Sequence, residues 1–381
     1  MKKNDLNRVS SPCYVLSEEA LLKNLECIDR VRKLSGVKII VALKASAMWS
    51  IFPTLATHSD GATASSLAEA RLVREEFGVL SHTYAPIYTE SQIDQIIELS
   101  SHITFNSISQ YHRFEERAHR GGISCGLRVN PEYSPVETDL YNPCVAGSRL
   151  GIAKEMFSNG LPQGVEGLHF HVLCESRPHH LRLALEAVER NFGEFLPQIK
   201  WLNMGGGHLM THAEYDCDEL IEVLQSFQRR HPHLQLILEP GSAFTWRTGV
   251  LVSTIEDVVF NGGVTTAMLD ASFACHMPDC LEMPYKPTIV GARDPKEGET
   301  GWRLGGNSCL AGDFMGEWVF EDGHTPTAGE QVIFEDMIHY TMVKTTMFNG
   351  VSHPSIAIER VGGEIETIKE FTYEDFKNRM S

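Results

Sequence analysis

Short runs rich in β-branched and apolar residues alternate with stretches whose apolar positions recur every three or four residues. This pattern predicts a parallel sheet built from strand–helix units. The runs are KIIVALK (38–44), GATASS (61–66), SHTYAP (81–86), HITFNS (102–107), GLRVNP (126–131), GLHFHV (167–172), KWLNMG (200–205) and LQLILEP (234–240). Between them, Leu181, Leu185, Val188, Phe192 and Phe195 predict a helix over 179–197, and Ile93, Ile96 and Ile97 predict one over 90–100. A longer helix is expected over 18–34. Eight strands in about 200 residues predict an α/β fold of the (β/α)8 TIM-like barrel type rather than an open doubly wound sheet. After Pro240 the helical period fades and Gly, Pro, Thr and Val become frequent, as in VLVSTIEDVVFNGG, which predicts a C-terminal antiparallel β domain. The strand-like CYVLS (13–17) is expected to join it. The expected division is a barrel over 17–245 and a β-sandwich or β-barrel-like domain from 1–16 and 246–381.

In such a barrel the chemistry sits at the C-terminal strand ends. Those ends bring Lys44, Ser65 and Ser66, Arg128 and Asn130, His169 and His171, Gly205 to Gly207, and Glu239 towards one mouth. Each alone has an ordinary reading: a snorkelling lysine, a backbone-bonded core histidine, a carboxylate paired with a barrel arginine, a glycine turn. The glycine run is not GxGxxG opening a helix, which argues against a dinucleotide. Three successive glycines do expose backbone N–H groups suited to a phosphate. A lysine, a phosphate nest and a carboxylate at one mouth form the set that pyridoxal phosphate (PLP) chemistry needs. His169 and His171 share a strand face, as zinc ligands could, but a third ligand of suitable spacing is missing and no metal is expected.

Composition narrows the partners. The chain has 381 residues, 42% hydrophobic and 22% charged, and its net charge is 33 − 50 = −17. An acidic surface disfavours nucleic acid and anionic membranes and suits a cationic small molecule. MKKNDLNRVSSP lacks the apolar core of a signal peptide, and no apolar run approaches the roughly 20 residues of a membrane span. Nine cysteines, an odd number without a CxxC pair, fit a reducing compartment, so a cytoplasmic location is expected.

The motif series ALKAS (42–46), SSLAE (65–69), GLRVNP, SRLG (148–151), GLHFHV, LNMGGG and LEPG resembles that of the fold-type III PLP-dependent decarboxylases, the alanine-racemase-like barrels. FEDMIHYTMVKTTMFNG (334–350) resembles their C-terminal signature and GGNSCLAGDFMGEW (305–318) their cysteine loop. Within the family, HVLCES (171–176), SFACHMPDCLEMPYKP (272–287) and NSCLAGDF (307–314) resemble the carboxynorspermidine (carboxyspermidine) decarboxylase branch. The resemblance implies a carboxy-lyase of polyamine biosynthesis that converts carboxynorspermidine, or carboxyspermidine, to norspermidine or spermidine. It implies that Lys44 binds PLP covalently, His171 stacks on its ring, Glu239 pairs with the ring nitrogen, and Gly205, Gly206, Gly207 and Tyr340 hold the phosphate. It implies Cys309 as proton donor, reaching the site of the other subunit in a homodimer with shared active sites. Asp313, Asp279, Glu175, His276, Asp270 and Glu282 are the expected partners of a cationic polyamine tail, each with the alternative of an ordinary acidic loop residue. Cys174 and Ser242 replace the HVGS serine and the arginine after EPG that ornithine, arginine and diaminopimelate decarboxylases usually carry. One of those three substrates is the alternative reading, and a non-catalytic regulatory barrel is a further one.

Overall fold

The computed structural model describes Leu6, residues 8–283 and residues 285–381, so part of the expected N-terminal segment lies outside the described residues. The chain forms two compact units: Asn24–Phe244, and the residues up to Lys23 together with Thr245–Ser381.

In the first unit all eight expected strand runs form strands of one parallel sheet. They are Lys38–Ala42, Ala62–Ala64, Ser81–Tyr84, Ser100–Phe105, Ser124–Arg128, Val165–His169, Trp201–Asn203 and Gln235–Leu238. The first is broken at Ile40. Its Lys38–Ile39 half pairs with the last strand and its Val41–Ala42 half with the second, so the break closes the barrel. Helices Glu18–Ser35, Ile93–Leu99 and Pro178–Phe192 stand where the apolar spacing predicts them. One unit departs from the expected alternation. Between the fifth and sixth strands there is no α-helix, only the single 3-10 turn Lys154–Phe157. That stretch holds Pro131, Pro135, Pro143 and the left-handed Gly147 and Gly151, which interrupt any helical run.

The barrel interior is layered, because inward positions recur every second residue. The lower layer is packing. The Trp201 indole lies where a Cβ on Gly126 or Gly167 would stand, 2.2 and 2.0 Å from ring atoms, so both positions must be glycine. His102 meets the indole edge-on at 5.4 Å and stacks on His82 at 3.8 Å. Two residues further along each strand the inward positions turn polar: Trp201 gives way to Asn203, Gly167 to His169, Gly126 to Arg128, His82 to Tyr84, and Ile237 to Glu239. SSLAE caps the helix after the second strand: Ser66 Oγ accepts the Glu69 N–H, and the Glu69 carboxylate accepts the Ser65 N–H.

The second unit is a mixed sheet with the order Ala292–Arg293, Phe314–Phe320, Trp302–Gly305, Val264–Leu269, Gly249–Asn261, Cys13–Ser17, Ser355–Glu359, Ile365–Lys369, and Gln331–Glu335 also pairs with Gly249–Asn261. The CYVLS strand sits at its centre, antiparallel to Gly249–Asn261 but parallel to Ser355–Glu359. Val264–Leu269 and Trp302–Gly305 are also parallel, so the expected antiparallel domain carries two parallel ladders.

Candidate active site

Lys44 follows the first barrel strand, and its Nζ lies 3.3 Å from His171 Nε2. His171 Nδ1 accepts the Gly206 N–H at 3.0 Å. A ring nitrogen that accepts an N–H carries no proton, so the neutral imidazole bears its proton on Nε2, facing the lysine. Burial, with the charges of Lys44 and Arg128, pushes the His171 value well below the ordinary range, which keeps the ring neutral. An Nε2–H facing Nζ needs a lone pair there. Lys44 can be reached by solvent yet is ringed by protein. Desolvation lowers its value, Glu239 opposes this, and Arg128 reinforces it. The geometry therefore favours an uncharged, nucleophilic amine. Arg128 donates to the His171 carbonyl at 3.1 Å and lies 4.8 Å above the Tyr84 ring.

Glu239, at the end of the last strand, receives the Asn203 amide on Oε1 at 2.7 Å. His169 Nε2 lies 3.5 Å from Oε2, and neither ring nitrogen of this buried histidine has a hydrogen-bond partner. Burial pushes the Glu239 carboxyl up, but His169, the Asn203 amide and His82 outweigh it and hold the group at about 2. Glu239 is thus a carboxylate at any physiological pH.

The glycine loop is built for close approach. Gly205 and Gly207 have φ of 69° and 92°. A Cβ on Gly205, Gly206 or Gly207 would stand 2.6, 2.4 and 2.2 Å from the carbonyl oxygens of Phe170, Glu239 and Leu173 respectively. Cys174 and Glu175 follow the sixth strand and are exposed; Glu175 adopts φ 46°, a left-handed conformation costly for a non-glycine residue.

The other expected site residues lie in the sheet unit. Cys309 is exposed on its loop, and its N–H donates to Asn349 Oδ1 at 2.8 Å. Asp313 is buried, and its carboxylate accepts Ser272 Oγ–H (2.8 Å) and the N–H groups of Ala274 (3.0 Å) and Ser308 (3.1 Å). Asp270 accepts Ser11 Oγ–H, Ser253 Oγ–H and the Thr254 N–H. His276 accepts the Ser272 N–H on Nδ1 and donates from Nε2 to the Ser352 carbonyl. Asp279 is 6% exposed; its Oδ2 accepts the hydroxyls of Tyr285 and Thr341, while Oδ1 has no partner. Glu282 pairs with Lys344. Tyr340 is half-buried with φ 41°. Among the described residues no group of three or more His, Cys, Asp and Glu side chains is placed to hold a metal ion.

Sequence reasoning passed over Asn203. The alternation that turns Trp201 inward turns Asn203 inward as well, one layer nearer the mouth, so the signal was present.

The barrel mouth fits PLP. A lysine amine facing a neutral imidazole, an ionised, half-buried carboxylate and a glycine cradle that any Cβ would fill are the donor set for an aldehyde, a pyridinium and a phosphate. Fold and site together define the class: a PLP-dependent enzyme of fold-type III. The profile described as "Pyridoxal-dependent decarboxylase, C-terminal sheet domain" matches residues 13–338. The chain belongs to the pyridoxal-dependent decarboxylase family, in the branch of the carboxynorspermidine/carboxyspermidine decarboxylases. It is 53% identical over 375 residues to the carboxyaminopropylagmatine decarboxylase of Synechocystis sp., covering 98% of this chain and 96% of that one. It is 39% identical over 383 residues to the carboxynorspermidine/carboxyspermidine decarboxylase of Campylobacter jejuni, covering 98% and 99%. The crystal structure of carboxynorspermidine decarboxylase complexed with norspermidine from Campylobacter jejuni superposes with TM-score 0.89 at 38% identity, covering 97% of this chain and 100% of that one.

Proposed function

We propose that this enzyme decarboxylates an α-amino acid with a long cationic polyamine tail, carboxynorspermidine or carboxyspermidine, in polyamine biosynthesis. The observation that carries the chemistry is the presentation, from one end of one barrel, of an amine facing a neutral imidazole and of a fixed carboxylate. A 38% identical structure with norspermidine bound supports the tail.

When bound, PLP supplies an aldehyde for an amine and an electron-withdrawing ring for the electrons left as CO2 departs. Lys44 Nζ would hold the aldehyde, and the His171 Nε2–H keeps that nitrogen's lone pair oriented. Glu239 would hold a proton on the ring nitrogen, because a carboxylate titrating at about 2 does not take that proton for itself. The N–H groups of Gly205–Gly207 would receive the phosphate. Cys309 of the partner subunit delivers a proton from Sγ, which makes the homodimer the working unit. Among the acids, the exposed Glu175 of the barrel unit is the accessible partner for a tail amine; in the sheet unit the exposed Glu282 is paired with Lys344, and the unpartnered Oδ1 of Asp279 is buried. Asp313, Asp270 and His276 are committed to their own domain and shape it.

A second reading concerns only the end of the tail. The 53% identical relative is named for carboxyaminopropylagmatine, whose tail ends in a guanidinium instead of an ammonium. Released CO2 from the PLP-loaded enzyme given carboxynorspermidine, carboxyspermidine, carboxyaminopropylagmatine, ornithine, arginine and diaminopimelate decides between them. The proposal expects the highest kcat/KM on the first two, with at least about a hundredfold preference over ornithine, arginine and diaminopimelate, as unpaired buried polar groups enforce. A preference for carboxyaminopropylagmatine selects the guanidinium tail, and a preference for one of the last three overturns both readings.

A further inference from the structure

Asn203 is 3% exposed and uses both ends of its amide. Nδ2 donates to Glu239 Oε1 at 2.7 Å, and Oδ1 accepts the Gly205 N–H at 2.9 Å. The circuit closes through the backbone, since the Glu239 N–H donates to the Gly205 carbonyl at 2.8 Å. The chemistry of each end is forced. The end at Gly205 must accept because an N–H only donates, and the end at Glu239 must donate because a carboxylate only accepts. A neutral amide does both in one rigid plane.

We propose that Asn203 is a positioning residue that fixes the Glu239 carboxylate and the Gly205 turn to one another, so that a single side chain sets the spacing between the ring-nitrogen end and the phosphate end of the cofactor site. This rests on the roles given above to Glu239 and the glycine loop. The titratable groups facing Glu239 are His169, His82, Lys44 and Tyr84, from the sixth, third, first and third strands. All are common to parent and variants, so differences between the two isolate position 203.

The test is Asn203→Asp. It keeps the size of the side chain and the bond from Gly205, but sets a carboxyl against a carboxylate. Two such groups share one proton. That proton is held more tightly in the folded chain than by an unfolded carboxyl, so the stability it contributes is present at low pH and lost as pH rises through the folded value. Measured on the cofactor-free full chain, the melting temperature of Asn203→Asp should match the parent near about pH 5 and fall below it by several degrees near about pH 8. The ratio of variant to parent PLP dissociation constants should rise over the same range, with a slope of up to about tenfold per pH unit, the limit set by one linked proton. Adding Glu239→Gln exchanges the acid and amide roles, restores the bond and should flatten both slopes. Asn203→Ser should weaken both quantities without a slope. A flat difference for Asn203→Asp, or a slope that survives Glu239→Gln, overturns the proposal. If Asn203→Asp does not fold at any pH, the double variant decides: recovered folding supports the coupling and continued failure overturns it. The melting curves need no cofactor, so they judge Asn203 even if the Lys44 reading fails. That failure has its own signature, a parent that gains no visible absorbance band removable by borohydride when PLP is added.

Discussion

At the scale of single residues, the site depends on which groups are charged. Glu239 is held at about 2 and stays ionised throughout the working range. Replacing it by Gln removes that charge while keeping shape and the Asn203 contact. Glu239→Gln should lower steady-state CO2 release by about 10²–10³-fold or more, the magnitude such electrostatic stabilisation supplies, while bound PLP measured by absorbance stays near stoichiometric. Turnover within a few-fold of the parent would sink the assignment. Lys44, His171 and Glu239 were legible in the sequence because a polar residue at a barrel strand's C-terminal end has few structural reasons to be there. Asp313, Asp270 and His276 read equally well as tail partners, and in the fold each also serves donors or acceptors of its own unit. An acid or imidazole in a loop has its own loop's N–H and hydroxyl groups within reach, and only the folded backbone shows whether it uses them.

At the scale of elements, the Cys309 loop is organised by one carboxylate. Asp313 gathers Ser272, Ala274 and Ser308 around itself, and a Cβ on Gly306 would stand 2.4 Å from its Oδ2. Asp313→Ala strips one buried and two half-buried donors of their acceptor, which should cost about 2–4 kcal/mol in urea unfolding and lower kcat about tenfold or more with KM little changed. An increase in KM with stability intact would instead make Asp313 a substrate contact. The barrel strands were legible because each carries its own local apolar run. The split of the first strand, the missing helix before the sixth and the parallel Cys13–Ser17/Ser355–Glu359 ladder were less so. Which strand lies beside which depends on pairing between residues over 300 positions apart, and no local period records that.

At the scale of the whole molecule, two quantities sum over many residues. Four imidazoles, His208 and His276 buried and His82 and His102 half-buried, are pushed down by desolvation, His82 to about 3 and the other three to about 4. Unfolded histidine titrates near 6.5, so between about pH 6 and pH 4.5 the unfolded chain binds protons that the folded chain refuses. Stability therefore rises with pH in that window, by about 1.4 kcal/mol per pH unit for each such histidine. Urea midpoints at pH 7 and pH 5 check this, and a midpoint unchanged between them would contradict it. The second quantity is assembly. Mixed Lys44→Ala and Cys309→Ala chains, each inactive alone, should regain about a quarter of parental activity once subunits exchange at random, because half the dimers are mixed and each mixed dimer has one intact site. No recovery, with exchange shown by labelled subunits, would remove Cys309 from the neighbouring site.

The indole resting on two glycines has a kinetic corollary. The indole plugs the barrel beneath its polar layer, so traffic to and from that layer is expected on the rim side. An inert polyamine seated across that rim would then do more than compete with substrate: it would also slow exchange of the bound vitamin, a trapping effect readable as delayed uptake of labelled pyridoxal phosphate.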